Sequence, residues 1–268
     1  MLNRRLYCMF LRRNARLVGI VALCSGLLFY LLALLFPAAD PHEAQLISST
    51  WPDIMKDLFG DPALAFADIY AWLNLQVFHI TSWAIYGVCA SILAARIVAR
   101  ETEEKTLEVL LSYPVSRTGV LVSVTAGTLT LMCVGVIVGI VGCSLGVVSC
   151  GWELHLLPLS LAGAECLLVA MVCAAIALVV SVCGGGQTLS VSISLALFSV
   201  MFLFSEMLSK LVPLLGKLRF VSPFHYYRAE DILVHGSYDC SALFFLAVYS
   251  IVPLVLAVVI FSRRDIPS

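Results

Sequence analysis

The acidic side chains that could take part in chemistry fall into two places in this sequence. Four glutamates crowd one short polar stretch, at positions 101, 103, 104 and 108, and Glu165 lies alone inside a long uncharged run. Adjacent carboxylates such as Glu103 and Glu104 occur in some intramembrane peptidases. Here Lys105 follows the pair, no set of histidines lies within the apolar runs, and the GxSG and HExxH motifs are missing. The sequence therefore argues against an enzyme and predicts no metal site.

Composition indicates which solvent surrounds the chain. Of its 268 residues 61% are apolar and only 12% are charged, and the mean hydropathy is +1.02. Soluble domains average roughly 25% charged residues. So few charges cannot cover a surface that faces water, so we expect an integral membrane protein. The net charge of −1 gives no indication of nucleic-acid binding, and the ten cysteines include no CxxC pair.

Uncharged runs of about 20 residues, the length needed to cross the hydrocarbon layer, predict the membrane spans. They place spans at about 17–36, 73–95, 118–148, 156–182, 188–208 and 240–262. The run from Cys166 to Ser205 would be about 60 Å long as one helix, twice the membrane thickness. It must break, and Gly184-Gly185-Gly186 is the expected turn because glycine tolerates positive φ. We therefore expect an all-α chain that forms a single transmembrane domain over residues 1–268.

The basic residues predict the orientation. Eleven of the 16 lysines and arginines lie in the N-terminal tail, between spans two and three, and at the C-terminus. Six spans put all three segments on one side, and the positive-inside rule makes that side the cytoplasm of a cell-membrane protein. Residues 37–72 and 209–239 then face outside. Residues 51–59 predict a short interfacial helix. Residues 209–239 are expected to form an ordinary loop, a partly structured outer cap or a re-entrant piece.

The cytoplasmic stretch RETEEKTLEVLLSYPVSR at 100–117 predicts an amphipathic helix over residues 101–111. Its acidic face comprises Glu101, Glu104 and Glu108. Leu107, Leu110 and Leu111 form the adjacent apolar face, and Pro114 stops the helix. A solvated turn would explain the acids but not the leucines, and anionic lipid would repel the glutamates. A protein partner with a basic rim and an apolar groove would cover both faces.

This stretch resembles the coupling segment of the membrane subunits of ABC type-2 exporters. The residues that carry the resemblance are Glu101, Glu103, Glu104, Thr106, Leu107, Glu108, Leu110, Leu111, Pro114, Val115, Ser116 and Arg117. Further similarity lies in WPDIMKDLFGDP at 51–62, SPFHYY at 222–227 and FSRRD at 261–265. The resemblance implies six spans with both termini in the cytoplasm, and a coupling helix between spans two and three that docks on an ATPase. It also implies an amphipathic elbow helix before span one.

The partners follow from the same resemblance. GxxxxGK[ST] is absent from the sequence, so ATP is expected to bind a separate ATPase subunit and this chain to need no cofactor. Six spans form one half of such an exporter, so a second permease half, identical or different, completes it within the lipid. A secondary transporter driven by an ion gradient is the alternative, although internal repeats are not evident and such a carrier needs no acidic docking helix.

Polar and small residues inside the spans raise two further expectations. A carboxylate within a span is a functional candidate, so Glu165 either lines a substrate path or makes a structural hydrogen bond. Gly135, Gly139, Gly142 and Gly146 recur at spacings of three and four on span three, where they allow a neighbouring helix to approach closely. The neighbour could belong to the same chain or to the other half. His79 is isolated, and we expect it only to pack.

Overall fold

The computed structural model describes residues 4–36, 49–52, 66, 68–103, 116–205 and 219–263, and all regular structure within these ranges is helical. In chain order the elements are α1 (Arg4–Leu34), α2 (Ile69–Leu73), a π-helical segment (Asn74–Phe78, the π segment), α3 (Thr81–Glu103), α4 (Arg117–Ser149), α5 (Leu156–Val182), α6 (Gln187–Leu203), 3-10 turns at Arg219–Val221 and Pro223–Tyr226, α7 (Ala229–Leu233) and α8 (Cys240–Arg263). The expectation of an all-helical chain is therefore confirmed in the part of the chain that the structure covers.

Five helical stretches within these ranges are long and apolar enough to cross a membrane. They are α1, residues 69–96 (α2, the π segment and the first part of α3), α4, α5 and α8. Each overlaps one of the predicted spans. The predicted fifth span corresponds to α6, which is shorter, with 17 residues and a length of about 25 Å.

The predicted break in the long uncharged run is confirmed. Helix α5 ends at Val182 and α6 begins at Gln187, so the glycine triplet forms the connection. Gly184 has a φ of +101°, a conformation that side chains disfavour and glycine adopts freely. The two helices can therefore fold back on each other and pack side by side.

The first helix differs from the expectation of a separate elbow. Helix α1 runs without a break from Arg4 to Leu34, so the arginine-rich tail continues the first span. Residues 4–18 contain neither glycine nor proline, and their backbone has no feature that would end or bend a helix. At about 46 Å, α1 is longer than the hydrocarbon layer is thick, and its arginine-bearing end extends beyond the apolar stretch.

The second span also differs from its predicted bounds of 73–95. It begins earlier, at α2, where the Asp68 side chain accepts a hydrogen bond from the Tyr70 backbone N–H at 3.0 Å. It then passes through the π segment and a turn at residues 79–80 before α3 starts. At the other end α3 continues to Glu103, because loss of apolar character does not by itself end a helix.

The helices form two closely packed groups. Helix α1 lies along α4, whereas α3 lies along α5, which also contacts α6, α7 and α8. Helix α5 is the most buried of the long apolar helices, so it is the centre of the second group. The Tyr86 hydroxyl, in the second turn of α3, joins the two groups. Ser25 Oγ lies 3.1 Å from it, and it donates to the Gly135 carbonyl oxygen, also at 3.1 Å.

The glycine stripe on α4 faces helices of the same chain. At Gly142 an added Cβ would collide with the backbone of Gly26 on α1, and at Gly146 it would collide with Ala33. At Gly139 it would overlap the Tyr86 hydroxyl. The expectation of close helix approach is therefore confirmed, and the neighbours are α1 and the Tyr86 side chain of α3.

Replacing Gly142 with alanine should weaken the contact between α1 and α4. The added methyl group can fit only if the backbones separate, and overpacking of this kind typically costs about 1–3 kcal/mol. We expect a lower melting temperature in detergent for Gly142→Ala, measured by thermal shift.

The matched control is Gly19→Ala on α1, where no heavy atom lies within 4 Å of the added Cβ. This control should melt at or slightly above the wild-type temperature, because alanine favours helix. Equal melting temperatures for the two variants would contradict the close approach.

Candidate functional site

The predicted coupling segment begins on a helix that continues from the second span. Glu101 and Glu103 belong to the last turn of α3. The remaining predicted residues before Ser116 lie outside the described residues, namely Glu104, Thr106, Leu107, Glu108, Leu110, Leu111 and Pro114. The amphipathic helix over 101–111 therefore stays a prediction. Its start on α3 is consistent with a rigid connection to the span, since seven residues of helix rise about 10 Å beyond Arg96.

The far end of the same stretch has a local role in starting the next helix. Ser116 is the N-cap of α4, and its Oγ accepts a hydrogen bond from the Gly119 backbone N–H at 3.1 Å. Arg117 is the first helical residue. A serine just before a long apolar run is the usual signal for a helix start, because its side chain satisfies an N–H that has no partner in the helix.

A buried amide links α1 to the C-terminal half of α3, which is called the base of α3 below. The Asn14 side chain is 1% exposed, and its Oδ1 accepts a hydrogen bond from Nη1 of Arg96 at 2.8 Å. Its Nδ2 donates to the Phe10 carbonyl oxygen at 2.9 Å, so both polar atoms of the amide have partners. This contact connects the N-terminal half of α1 to the helix that leads to Glu101 and Glu103. Sequence reasoning counted Arg96 only as a topology signal and assigned no role to Asn14.

The π segment lies at the opposite end of the bundle. Some of its backbone carbonyl oxygens accept hydrogen bonds from side chains. The His79 backbone N–H bonds to the Asn74 carbonyl oxygen, five residues back, at 2.8 Å. Thr81 Oγ1 donates to the Gln76 carbonyl oxygen at 2.8 Å, and Tyr227 donates its hydroxyl to the Phe78 carbonyl oxygen at 2.7 Å. Irregular backbone at membrane depth needs such partners, and π segments recur at functional sites.

Glu165 lies close to the π segment, on α5. Its side chain is 1% exposed, and Oε2 accepts a hydrogen bond from the Arg228 backbone N–H at 2.9 Å. The Arg228 guanidinium pairs instead with Asp239 at 3.5 Å. Hydrogen bonds from the side chain and backbone of Ser241 lower the pKa of Asp239, so this exposed carboxylate is charged at neutral pH. Glu165 therefore contacts the chain between α6 and α8.

That chain, residues 219–239, is here called the outer segment after its predicted side. Within these described residues, 219–233 contain the two 3-10 turns and α7, so this part is folded and is not an irregular loop. Phe224 inserts among the rings of Trp83 on α3 and Phe198 and Phe202 on α6, with ring centroids 4.6–5.2 Å from its own. The His79 ring packs edge-on against Phe202, as expected of a packing residue.

A family model decides what kind of protein carries these features. The model for ABC-2 family transporter proteins matches residues 15–266, nearly the whole chain. The chain belongs to this family. No curated protein gives a significant match to the sequence. The chain is thus a multi-pass membrane permease of ABC-2 type, in agreement with its long apolar helices and with the resemblance seen at 101–117.

The two polar centres of the permease lie at opposite ends of the same helices. The Asn14–Arg96 contact sits at the base of α3, near the predicted coupling segment, and Glu165 and the π segment lie toward the other end. Helices α3 and α5 pack along each other between them. These two packed helices therefore form a continuous physical connection between the two ends.

Removing the acceptor from Asn14 should loosen α1 from α3. In Asn14→Leu the Arg96 guanidinium loses its buried partner, which typically costs about 1–3 kcal/mol. We expect a lower melting temperature of the purified permease. Asn14→Asp keeps the acceptor for Arg96 but loses the donor to the Phe10 carbonyl oxygen, so it should melt between Asn14→Leu and wild type.

The control for this pair is Ser144→Ala, which removes only a local bond to the Ile140 carbonyl oxygen within α4. It should leave the melting temperature nearly unchanged. If Asn14→Leu melts at the same temperature as Ser144→Ala, the contact between α1 and α3 does not contribute to the stability of the permease.

Proposed function

We propose that this chain is the permease half of an ATP-binding-cassette exporter, which forms the substrate path and couples to a separate ATPase subunit. The family match over residues 15–266 is the observation that carries the proposal. A membrane transport subunit of this family accounts for the helical bundle and for the missing phosphate-binding loop in the sequence. A second permease half, either a second copy or a related chain, completes the transporter.

The proposed topology has six spans and cytoplasmic termini, with α6 as the fifth span. Helix α6 is short for a perpendicular crossing of about 30 Å, but its helical geometry extends through a π turn at residues 204–205. With six spans, the arginines of α1, the base of α3 and the end of α8 lie on one side. This arrangement satisfies the positive-inside rule.

Coupling to the ATPase is assigned to the segment 101–117. The continuation of α3 to Glu103 supports this assignment, because a rigid helix can carry a displacement of the docked ATPase into the bundle. The turn at 183–186 is short and uncharged, so it provides no charged side chain that an ATPase could bind. We assign the acidic face, with Glu101, Glu104 and Glu108, to a basic rim on the partner, and the leucine face to an apolar groove.

The topology is tested by labelling single cysteines in a cysteine-free background. A cysteine at position 112 should react only with reagents that reach the cytoplasm, whereas one at position 237, in the outer segment, should react with impermeant reagents added outside. Labelling of position 112 from outside would eliminate the six-span arrangement.

Charge reversal tests the coupling role. The triple variant with lysine at 101, 104 and 108 places cations against the predicted basic rim, and like-charge contact at an interface can cost several kcal/mol, about a hundredfold or more in affinity. We expect normal membrane insertion but loss of copurification with the ATPase. Leu107→Asp should have the same effect through the apolar face.

Glu153→Lys serves as the control, because this exposed acid precedes α5 at the opposite end of the bundle. It should retain the ATPase. If the triple variant and Leu107→Asp also keep the ATPase and transport at wild-type rates, the segment 101–117 is not the coupling element.

A further inference from the structure

Glu165 places a carboxylate deep within the bundle, where it binds a backbone N–H of the outer segment. It lies nine residues after Leu156, the first residue of α5, which corresponds to about 14 Å along the helix. At this depth a buried carboxylate is costly, and it is retained only where it has partners. Its partner here is the Arg228 N–H at 2.9 Å. The outer segment therefore descends into the bundle to reach Glu165.

The Arg228 N–H cannot find a replacement acceptor in its own helix. Arg228 is the N-cap of α7, and the first N–H groups of a helix have no acceptor in the preceding turn. The Arg228 side chain does not cap the helix either, because it reaches away to Asp239. If Glu165 lost its acceptor oxygen, this part-buried N–H would lose its partner, which costs free energy.

Other hydrogen bonds between the outer segment and the helices are of a different kind. Tyr227 donates to the Phe78 carbonyl oxygen, and Ser222 Oγ donates to the Met201 carbonyl oxygen at 3.0 Å. Tyr249 on α8 donates to the Phe220 carbonyl oxygen at 2.6 Å. These are hydroxyl donors to backbone acceptors, whereas the bond to Glu165 joins a backbone N–H of the outer segment to a side-chain acceptor.

The outer segment closes the end of the bundle at which these bonds lie. Phe224, 3% exposed, fills the space between α3 and α6, and Ile232 and Leu233 of α7 are buried toward α5. A substrate that left the bundle at this end would have to displace the segment, at least in part.

We propose that Glu165 is a positioning residue that latches the outer segment in the closed state, and that release of the Arg228 N–H accompanies opening of the substrate exit. This inference rests on the proposed transport function. It differs from a role for Glu165 in direct substrate contact, because the carboxylate acts through the position of α7. The latch depends on an acceptor oxygen at the end of side chain 165.

The test measures how often the outer segment opens, in the full permease assembled with its ATPase. Ile232→Cys, in a cysteine-free background, supplies a buried probe, since Ile232 is 5% exposed. Adding Glu165→Leu removes the acceptor and should speed labelling of position 232 from outside by about tenfold or more. ATP hydrolysis should continue while transport per ATP falls. Glu165→Gln retains an acceptor oxygen and should restore labelling to within about threefold of the starting protein.

Two further variants separate the latch from general destabilisation. Tyr227→Phe removes another bond of the outer segment with little change in volume, and should also speed labelling while Glu165 is intact. Ser250→Ala is the matched control: its Oγ donates to the Leu168 carbonyl oxygen at 3.1 Å, joining α8 to α5 without touching the outer segment. It should leave labelling unchanged.

The proposal is overturned if Glu165→Leu inserts normally and labels position 232 as slowly as the starting protein, or if Glu165→Gln labels as fast as Glu165→Leu. A Glu165→Gln variant that labels slowly but loses transport would overturn it in favour of substrate contact. Failure of the wild-type chain to copurify with an ATPase would refute the proposed function instead. Labelling of position 232 can also be measured on the full permease chain without the ATPase, so the two failures are distinguishable.

Discussion

Within the hydrocarbon layer each backbone N–H and C=O must find a partner inside the protein, and the architecture of this permease follows from that requirement. Regular helices satisfy it along most of the chain. The one internal irregularity of the second span, the π segment and the turn after it, obtains hydrogen bonds from Thr81 and Tyr227. The same requirement explains why the buried carboxylate of Glu165 meets a helix-starting N–H that has no acceptor of its own. Polar groups at membrane depth thus determine where the outer segment sits.

Packing supplies the second constraint, because lipid tails are as apolar as the helix surfaces and give little hydrophobic drive for association. Close contact then depends on small residues. Glycines on α4 admit the backbone of α1 and the Tyr86 side chain, and the Tyr86 hydroxyl in turn bonds to both α1 and α4. Helix α3 is consequently attached to the group of α1 and α4 by polar contacts of Tyr86, near its start, and of Arg96, which binds Asn14 in its C-terminal half. Its broader packing surface is against α5.

Helix α3 contacts both groups of helices in this ABC-2 family transporter. It continues from the bundle to Glu103, where the predicted ATPase-docking segment begins, and its other end supports the aromatic rings that surround Phe224. Helix α5 lies beside it and bears Glu165. One pair of packed helices therefore spans the distance between the proposed input of ATP-driven motion and the proposed exit.

The sequence alone determined the membrane class, the approximate spans and the turn at the glycine triplet, because these depend on local properties: apolar length against bilayer thickness, and the backbone freedom of Gly184. It also indicated the family through residues 101–117, although the amphipathic helix there stays a prediction. Only the tertiary structure decided that the glycine stripe faces α1, that Asn14 binds Arg96, and that Glu165 binds the Arg228 N–H. These partners lie far apart in the chain, up to 116 residues for Gly26 and Gly142, and periodicity says which face a residue occupies but not which distant segment covers it.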